Sequence, residues 1–228
     1  MDFAPTPGVV GSASPFVTKV EAWLRFVGLD YEKRHGSLQD FGKASKGKFP
    51  IVFHGDNIVP DSHFIIRYLA RTYGQQLEAA IAPADAYSHA VAVAVLALVE
   101  THLYFGAVYF KWGPQGMGRF APEDVALLMN EDLKAISALQ GDKPFLFGDQ
   151  PYEADATVFA ILDVILYHKG AFPQLEALVH EKYHNLIRYT DHIRDAYFGP
   201  SYQPSLVPGP ALQKAAPASA SPGAKKDD

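Results

Sequence analysis

Three short stretches carry residues whose types and spacing could do chemistry. Ser14-Pro15 stands directly before an amphipathic run that ends near Gly28. Serine is a favoured helix N-cap and proline a favoured first helical residue. Ser14 is therefore expected at the positive end of a helix, where free backbone N–H groups and the macrodipole favour an anion. Asp61-Ser62 stands in the same relation to a run bearing Phe64, Ile65, Tyr68 and Leu69. Between the two, Lys48-Phe49-Pro50 leads into the apolar stretch Ile51-Val52-Phe53. Each stretch also has a purely structural reading: two helix caps and a proline that opens a strand. The residues alone leave both readings open.

Composition narrows the chemistry. The 228 residues contain no cysteine, which excludes disulfides, thiolate metal sites and a nucleophilic or redox cysteine of the chain's own. Nine histidines are scattered without metal-ligand spacing, so no metal is expected. The net charge of −5 gives no support to a nucleic-acid or anionic-membrane partner. With 48% hydrophobic and 20% charged residues, the chain reads as a soluble globular protein. The N-terminus shows neither a basic nor an apolar leader segment. The most apolar run, Ala90–Val99, is short for a bilayer span. A cytoplasmic protein without a membrane span is the expectation.

The elements that must position the candidate residues follow from the pattern. Phe16, Val20, Trp23, Leu24 and Val27 recur at helical spacing after Pro15. A first strand would fall at Met1–Phe3 or Gly8–Val10, and Tyr31–His35 alternates weakly as a second. Ser37–Lys48 reads as a polar loop with room for a short helix. Ile51–Val59, with Gly55-Asp56-Asn57 as its turn, is a hairpin, and the helix capped by Asp61-Ser62 stops near Gly74. The first ~75 residues thus read β-α-β-α-β-β-α. Gln75–Pro83 reads as a linker. Helices are then expected at Asp85–Trp112, Pro122–Leu139, Ala154–His168, Phe172–Val179 and Tyr183–Phe198. The third of these helices, Ala154–His168, is almost uncharged apart from Asp155 and Asp163 and should be the buried centre of the helical part. An α/β domain over residues 1–75, an all-helical domain over 84–200 and a disordered Pro/Ala/Ser-rich tail over 201–228 are expected.

This outline, with four motifs in order over roughly residues 10–200, resembles the cytosolic glutathione transferase superfamily. Ser14-Pro15-Phe16 resembles the Ser-Pro-Phe that opens the first helix in tau-class members, a position that is Cys in the related omega-like ones. Lys48-Phe49-Pro50-Ile51-Val52 resembles the stretch that holds the family's cis-proline. Asp61-Ser62 with Ile65, Ile66, Tyr68 and Leu69 resembles its Glu/Asp-Ser motif. Phe147-Gly148-Asp149-Gln150-Pro151 with Asp155 resembles the entry to its buried C-terminal helix. Trp23-Leu24-Arg25, Glu100-Thr101-His102-Leu103-Tyr104 and Asn185-Leu186-Ile187 look most like the failed-axon-connections and metaxin-like branch, which is less uniformly catalytic. Tyr152 stands where the family usually has Ser or Thr, so one half of a capping box at the buried helix is expected to be weakened.

The resemblance implies a thioredoxin-like glutathione-binding domain followed by an all-α domain. It implies glutathione as co-substrate, no metal, a small hydrophobic electrophile as second substrate, a role in detoxification, and a homodimer. Ser14 would donate a hydrogen bond to the glutathione thiolate and so be the catalytic residue. Phe16, Lys48, Phe49, Pro50, Asp61 and Ser62 would complete the glutathione site, with a cis bond before Pro50. Tyr104, Tyr109 and Trp112, on the long helix, would line the pocket for the second substrate. The alternative is a non-catalytic glutathione- or protein-binding module of the same fold.

Overall fold

A computed structural model describes residues 12, 14–34, 48–112, 120–168 and 170–199. The strands expected at Met1–Phe3 or Gly8–Val10, most of the Ser37–Lys48 loop and the 201–228 tail lie outside these residues.

Helix α1 (Pro15–Phe26) opens on its proline and buries almost its whole length, with Trp23 fully enclosed. The hairpin forms as β1 (Ile51–His54) and β2 (Asn57–Pro60), antiparallel, with Val52 opposite Val59 and Phe53 opposite Ile58. Gly55, at φ 58°, supplies the positive dihedral that the tight turn requires. Helix α2 (Ser62–Tyr73) follows and ends at Gly74, φ 90°. Tyr31–Arg34 is not a strand. It is held as an extended segment against α1: the Tyr31 hydroxyl donates to Glu21 at 2.8 Å, and Lys33 pairs with Glu21 at 2.9 Å. Side-chain bonds to a helix there take the place of a sheet ladder.

The Gln75–Pro83 stretch is not a plain linker. It contains helix α3 (Gln75–Ala79) and is pinned at two points. Trp23 Nε1 donates to the carbonyl of Ala80 at 3.3 Å, and the Glu153 N–H donates to that of Ile81 at 3.3 Å. Loops that carry buried partners are anchored rather than free.

A single long helical run follows. It is α4 (Ala86–Ala97), a π-turn over Leu98–Leu103 and α5 (Tyr104–Trp112). Asp85 caps it by accepting from the N–H of Ser88 at 2.8 Å. The expectation from Ala90–Val99 understated this element. Ala86–Tyr109 is long and apolar enough, by length and composition, to cross a membrane, and its most apolar window is 39% buried within the fold. Helix α6 (Pro122–Gln140) packs on α5. The loop that follows carries Phe145 and Leu146 into the core and forms a Phe145–Gly148 bridge. Helix α7 (Glu153–Tyr167) is the central element, with every residue from Glu153 to Leu166 buried. Helices α8 (Pro173–Lys182) and α9 (His184–Ile193), the latter continued by a π-turn over Arg194–Phe198, close the structure around it.

One apolar core joins α1 and α2 to the helical part, with Trp23, Ile65, Leu103, Leu133, Phe159 and Leu186 in a single cluster. A second, small cluster of Val17, Phe49 and Ile51 fastens α1 to the entry of β1. Asp155 supports the start of α7, accepting from the N–H groups of Leu146 (2.8 Å) and Tyr152 (2.9 Å) and from the Tyr189 hydroxyl (3.1 Å). The Asp155 half of the capping box is thus made.

Helices α5 and α6 meet at Gly106, where an added Cβ would lie 2.0 Å from the sulfur of Met129. Met129 is itself fully buried, so its side chain would have to repack within the core to make room. Gly106→Ala should therefore destabilise the protein by about 1–3 kcal/mol through overpacking, against a gain of about 1 kcal/mol from helix propensity. A urea titration checks this; a Gly106→Ala protein as stable as the parent or more so would show that the contact has slack.

Candidate functional site

Three element ends converge where α1 begins. Ser14 is the N-cap of α1, with extended backbone angles and a carbonyl that accepts from the N–H groups of Val17 and Thr18, each at 3.1 Å. Its hydroxyl makes no capping hydrogen bond. Its own N–H is held by the hydroxyl oxygen of Ser12 at 3.0 Å. Pro15 has no N–H to satisfy. The helix end is therefore formed by main chain and proline, which leaves the Ser14 side chain unused by the cap.

The Phe49–Pro50 peptide is cis, as expected. Phe49 and Pro50 are both buried, and Lys48 is exposed. The carbonyl of Pro50 accepts from the N–H of Asp61 at 3.1 Å, which ties the start of β1 to the start of α2. Asp61 has φ 77°, the one positive value outside glycine among the described residues. Such a residue is held at a cost of about 1–3 kcal/mol by what surrounds it. Here its N–H is anchored to Pro50 and its carboxylate accepts from the N–H of His63 at 3.1 Å. Ser62, at the first position of α2, is buried. Asp61 does cap this helix, in agreement with the motif.

The helical part contributes one wall. The rings of Phe16 and Tyr104 meet edge to face, 4.8 Å between centroids. Phe16, Lys19, Val99, Glu100, Tyr104 and Ile161 are among the residues that line a narrow cleft of about 10 Å³ there. Burial holds the Tyr104 phenol above the usual tyrosine range, so it keeps its proton. Of the other two aromatic candidates, Tyr109 is directed elsewhere, with its hydroxyl donating to the carbonyl of Phe120 at 3.3 Å. The Trp112 side chain lies outside the described structure.

Beneath this wall lies an ionic cluster that sequence reasoning missed. Glu153, wholly buried at the start of α7, is 2.8 Å from Lys19 Nζ, 2.8 Å from Arg67 Nη1 and 3.3 Å from His63 Nδ1. Lys19, only 1% exposed, also contacts Glu100 at 2.6 Å. α1, α2, the long helix and α7 thus meet on two carboxylates. The signal was present for Lys19, which falls three residues after Phe16 and four before Trp23 and so shares their inward face. Glu153 was hidden by an assigned helix start one residue too late.

The sequence places this arrangement in a family. The glutathione S-transferase N-terminal domain matches residues 15–117, and the glutathione S-transferase C-terminal domain matches residues 129–193. The chain belongs to the glutathione transferase superfamily. Failed axon connections of Drosophila melanogaster is 28% identical in a match covering 86% of this chain and 57% of that protein. The chain therefore spans little more than half the length of that relative. Isoprene-epoxide–glutathione S-transferase of Rhodococcus sp. strain AD45 is 29% identical, over 81% of this chain and 92% of that one. Among solved structures, a glutathione S-transferase of Methylobacterium radiotolerans in complex with glutathione sulfonate superposes with a TM-score of 0.65. It is 19% identical and covers 86% of this chain and 93% of its own. A glutathione S-transferase of the Antarctic clam Laternula elliptica gives 0.63 at 17% identity, covering 84% and 89%.

The two buried acids at the start of α7 respond oppositely to pH. Burial alone would raise the Glu153 carboxyl, but His63, Lys19 and Arg67 more than offset it and hold it at about 2. Its contribution is full above the ordinary value near 4.5 and is lost as pH falls from there towards 2. Asp155 is pushed up to about 6 by burial, against its hydrogen bonds, so its cost to the fold is relieved as pH falls from 6 towards 3.8. Glu153→Gln should cost about 3–5 kcal/mol, because it strips the buried Lys19 and the partly buried Arg67 of a carboxylate partner. It should also flatten the loss of stability below pH 4.5. Chemical denaturation at several pH values tests both, and a variant with the parental acid profile would count against the assignment.

Proposed function

We propose that the protein binds glutathione at the start of α1 and stabilises its thiolate for attack on an electrophilic or apolar second substrate. The observation that carries this reading is the Ser14 hydroxyl, left without a capping bond at the positive end of α1, in a chain of this family. Ser14 donates its hydrogen bond to the sulfur, which keeps the thiol ionised. The nucleophile is the bound thiolate, since the chain has no thiol of its own. Phe49 and Pro50 supply main-chain contacts to the cysteinyl part. Ser62 and the start of α2 suit the γ-glutamyl carboxylate, and Asp61 suits its ammonium group. Lys48, exposed beside the cis-proline, takes the glycyl carboxylate. Phe16 and Tyr104 form the wall against the second substrate. Catalysis then consists of proximity and thiolate stabilisation.

The resemblance to the isoprene-epoxide transferase supports turnover over binding alone. A homodimer is part of the same reading. It is supported by the large apolar side chains that α2 and α4 leave uncovered, Phe64 at 55% and Tyr87 at 79% exposure.

Retention on glutathione-agarose followed by an assay with a generic electrophile tests the reading directly. Retention without turnover would favour the binding module, and no retention would remove glutathione from the account. Ser14→Ala should raise the thiol pKa of bound glutathione by about 1–2 units, the loss of a hydrogen bond to an ionised partner worth about 1.5–3 kcal/mol. An unchanged thiolate absorbance titration would take Ser14 out of the mechanism. Light scattering should give twice the chain mass, and a monomeric value would overturn the dimer.

A further inference from the structure

The turn that opens α2 is fastened from two sides. Asp61 is held at φ 77°, with its N–H donating to the Pro50 carbonyl at 3.1 Å and its carboxylate accepting from the His63 N–H at 3.1 Å. A residue in that conformation keeps it only while its surroundings hold it there. His63 connects it to the helical part. The His63 main chain is bonded to Asp61, and the ring Nδ1 lies 3.3 Å from Oε1 of Glu153, which is wholly buried at the start of α7.

Arg67 stands one turn further along α2, 2.8 Å from the other oxygen, Glu153 Oε2. Lys19 of α1 lies 2.8 Å from Oε1. Glu153 thus keeps two cations when His63 is set aside, and the His63 side chain is 41% exposed. The His63 contact is therefore a minor part of what stabilises the carboxylate. Its distinct property is position. Arg67 alone would fix α2 to α7 at one polar point; His63 adds a second, a turn closer to Asp61, and two points fix a direction.

We infer that His63 is a positioning residue for the γ-glutamyl end of glutathione. It ties the Asp61–Ser62 turn to α7, so that the Asp61 carboxylate and Ser62 stand where the γ-glutamyl ammonium and carboxylate require them. The sulfur end is set separately, since Ser14 is placed by the main chain of α1 and by Ser12. The inference rests on the glutathione reading above and adds to it a dependence of γ-glutamyl recognition on the helical part.

S-Methylglutathione, which has no thiol to ionise, tests this by calorimetric titration of the full chain. His63→Ala leaves Glu153 paired with Lys19 and Arg67 and should fold. It should weaken binding about three- to fivefold, the size of a partly exposed ion pair. The same factor is expected with S-methyl-γ-glutamylcysteine, which lacks only the glycine. His63→Asn, whose amide nitrogen takes the place of the ring Nδ1 as donor, should stay close to the parental affinity. With glutathione itself at saturation, the thiolate absorbance titration of His63→Ala should match that of the parent. A titration displaced along with the affinity overturns the proposal, because a general loosening of the site moves both ends. An Asn variant as weak as the Ala variant overturns it as well, and so does a loss confined to the tripeptide, which would place the effect at the glycine. A parent protein that does not bind S-methylglutathione removes the glutathione reading and this proposal with it. A parent that binds, beside a His63→Ala variant that binds equally well, removes the proposal alone.

Discussion

The buried carboxylate of Glu153 is the constraint around which the rest of the molecule is arranged. A carboxylate inside a protein is tolerated only where cations and hydrogen-bond donors replace its water. Here the replacements come from two other helices: Lys19 from α1, and Arg67 and His63 from α2. Neither helix can slide or rotate against α7 without exposing an unpaired charge to the interior. The apolar packing of α1 on α7 supplies most of the attraction. The ionic cluster supplies the registration, since apolar contact is non-directional and ion pairs at these distances are not.

Registration matters because the candidate site is made of element ends. Ser14, Pro50, Asp61 and Ser62 belong to the starts of α1, β1 and α2, and Phe16 faces Tyr104 from another part of the chain. No one element carries the site. A small error in how α1 sits on α7 would displace Ser14 and the wall against the second substrate together. The 3.1 Å bond from the Asp61 N–H to the Pro50 carbonyl does for the α/β part what Glu153 does between the parts.

Much of this was legible in the sequence, for reasons that can be named. Ser14-Pro15, Gly55 and Asp61 act through local backbone chemistry, and local chemistry is what a short stretch of sequence reports. The hairpin and the capped helices followed from it, and the four ordered motifs pointed to the family. What was missed depends on distant partners. Tyr31–Arg34 has a weak strand pattern but is fixed by Glu21 on α1. Gln75–Pro83 looks featureless until Trp23 and Glu153 are placed beside it. Lys19 and Glu153 carry charge, so their types argue for solvent, and only their mutual proximity explains their burial. Tyr109 was paired with Tyr104 because both lie on one helix. The fold instead gives its hydroxyl to Phe120.

The π-turn over Leu98–Leu103 acts as a change of phase in an otherwise continuous rod. Each residue of an α-helix advances the side-chain direction by about 100°, so widening one turn offsets everything beyond it relative to everything before. α4 consequently packs on α7 while α5 packs on α6, although the axis between them is unbroken. Ala86–Ala97 carries apolar residues on every side of the helix, and the ones it buries are Ala92, Val95 and Leu96. Packing against α7 and α6 therefore covers only part of an apolar surface that runs the length of Ala86–Tyr109, and Val93 and Phe105 stand exposed on it.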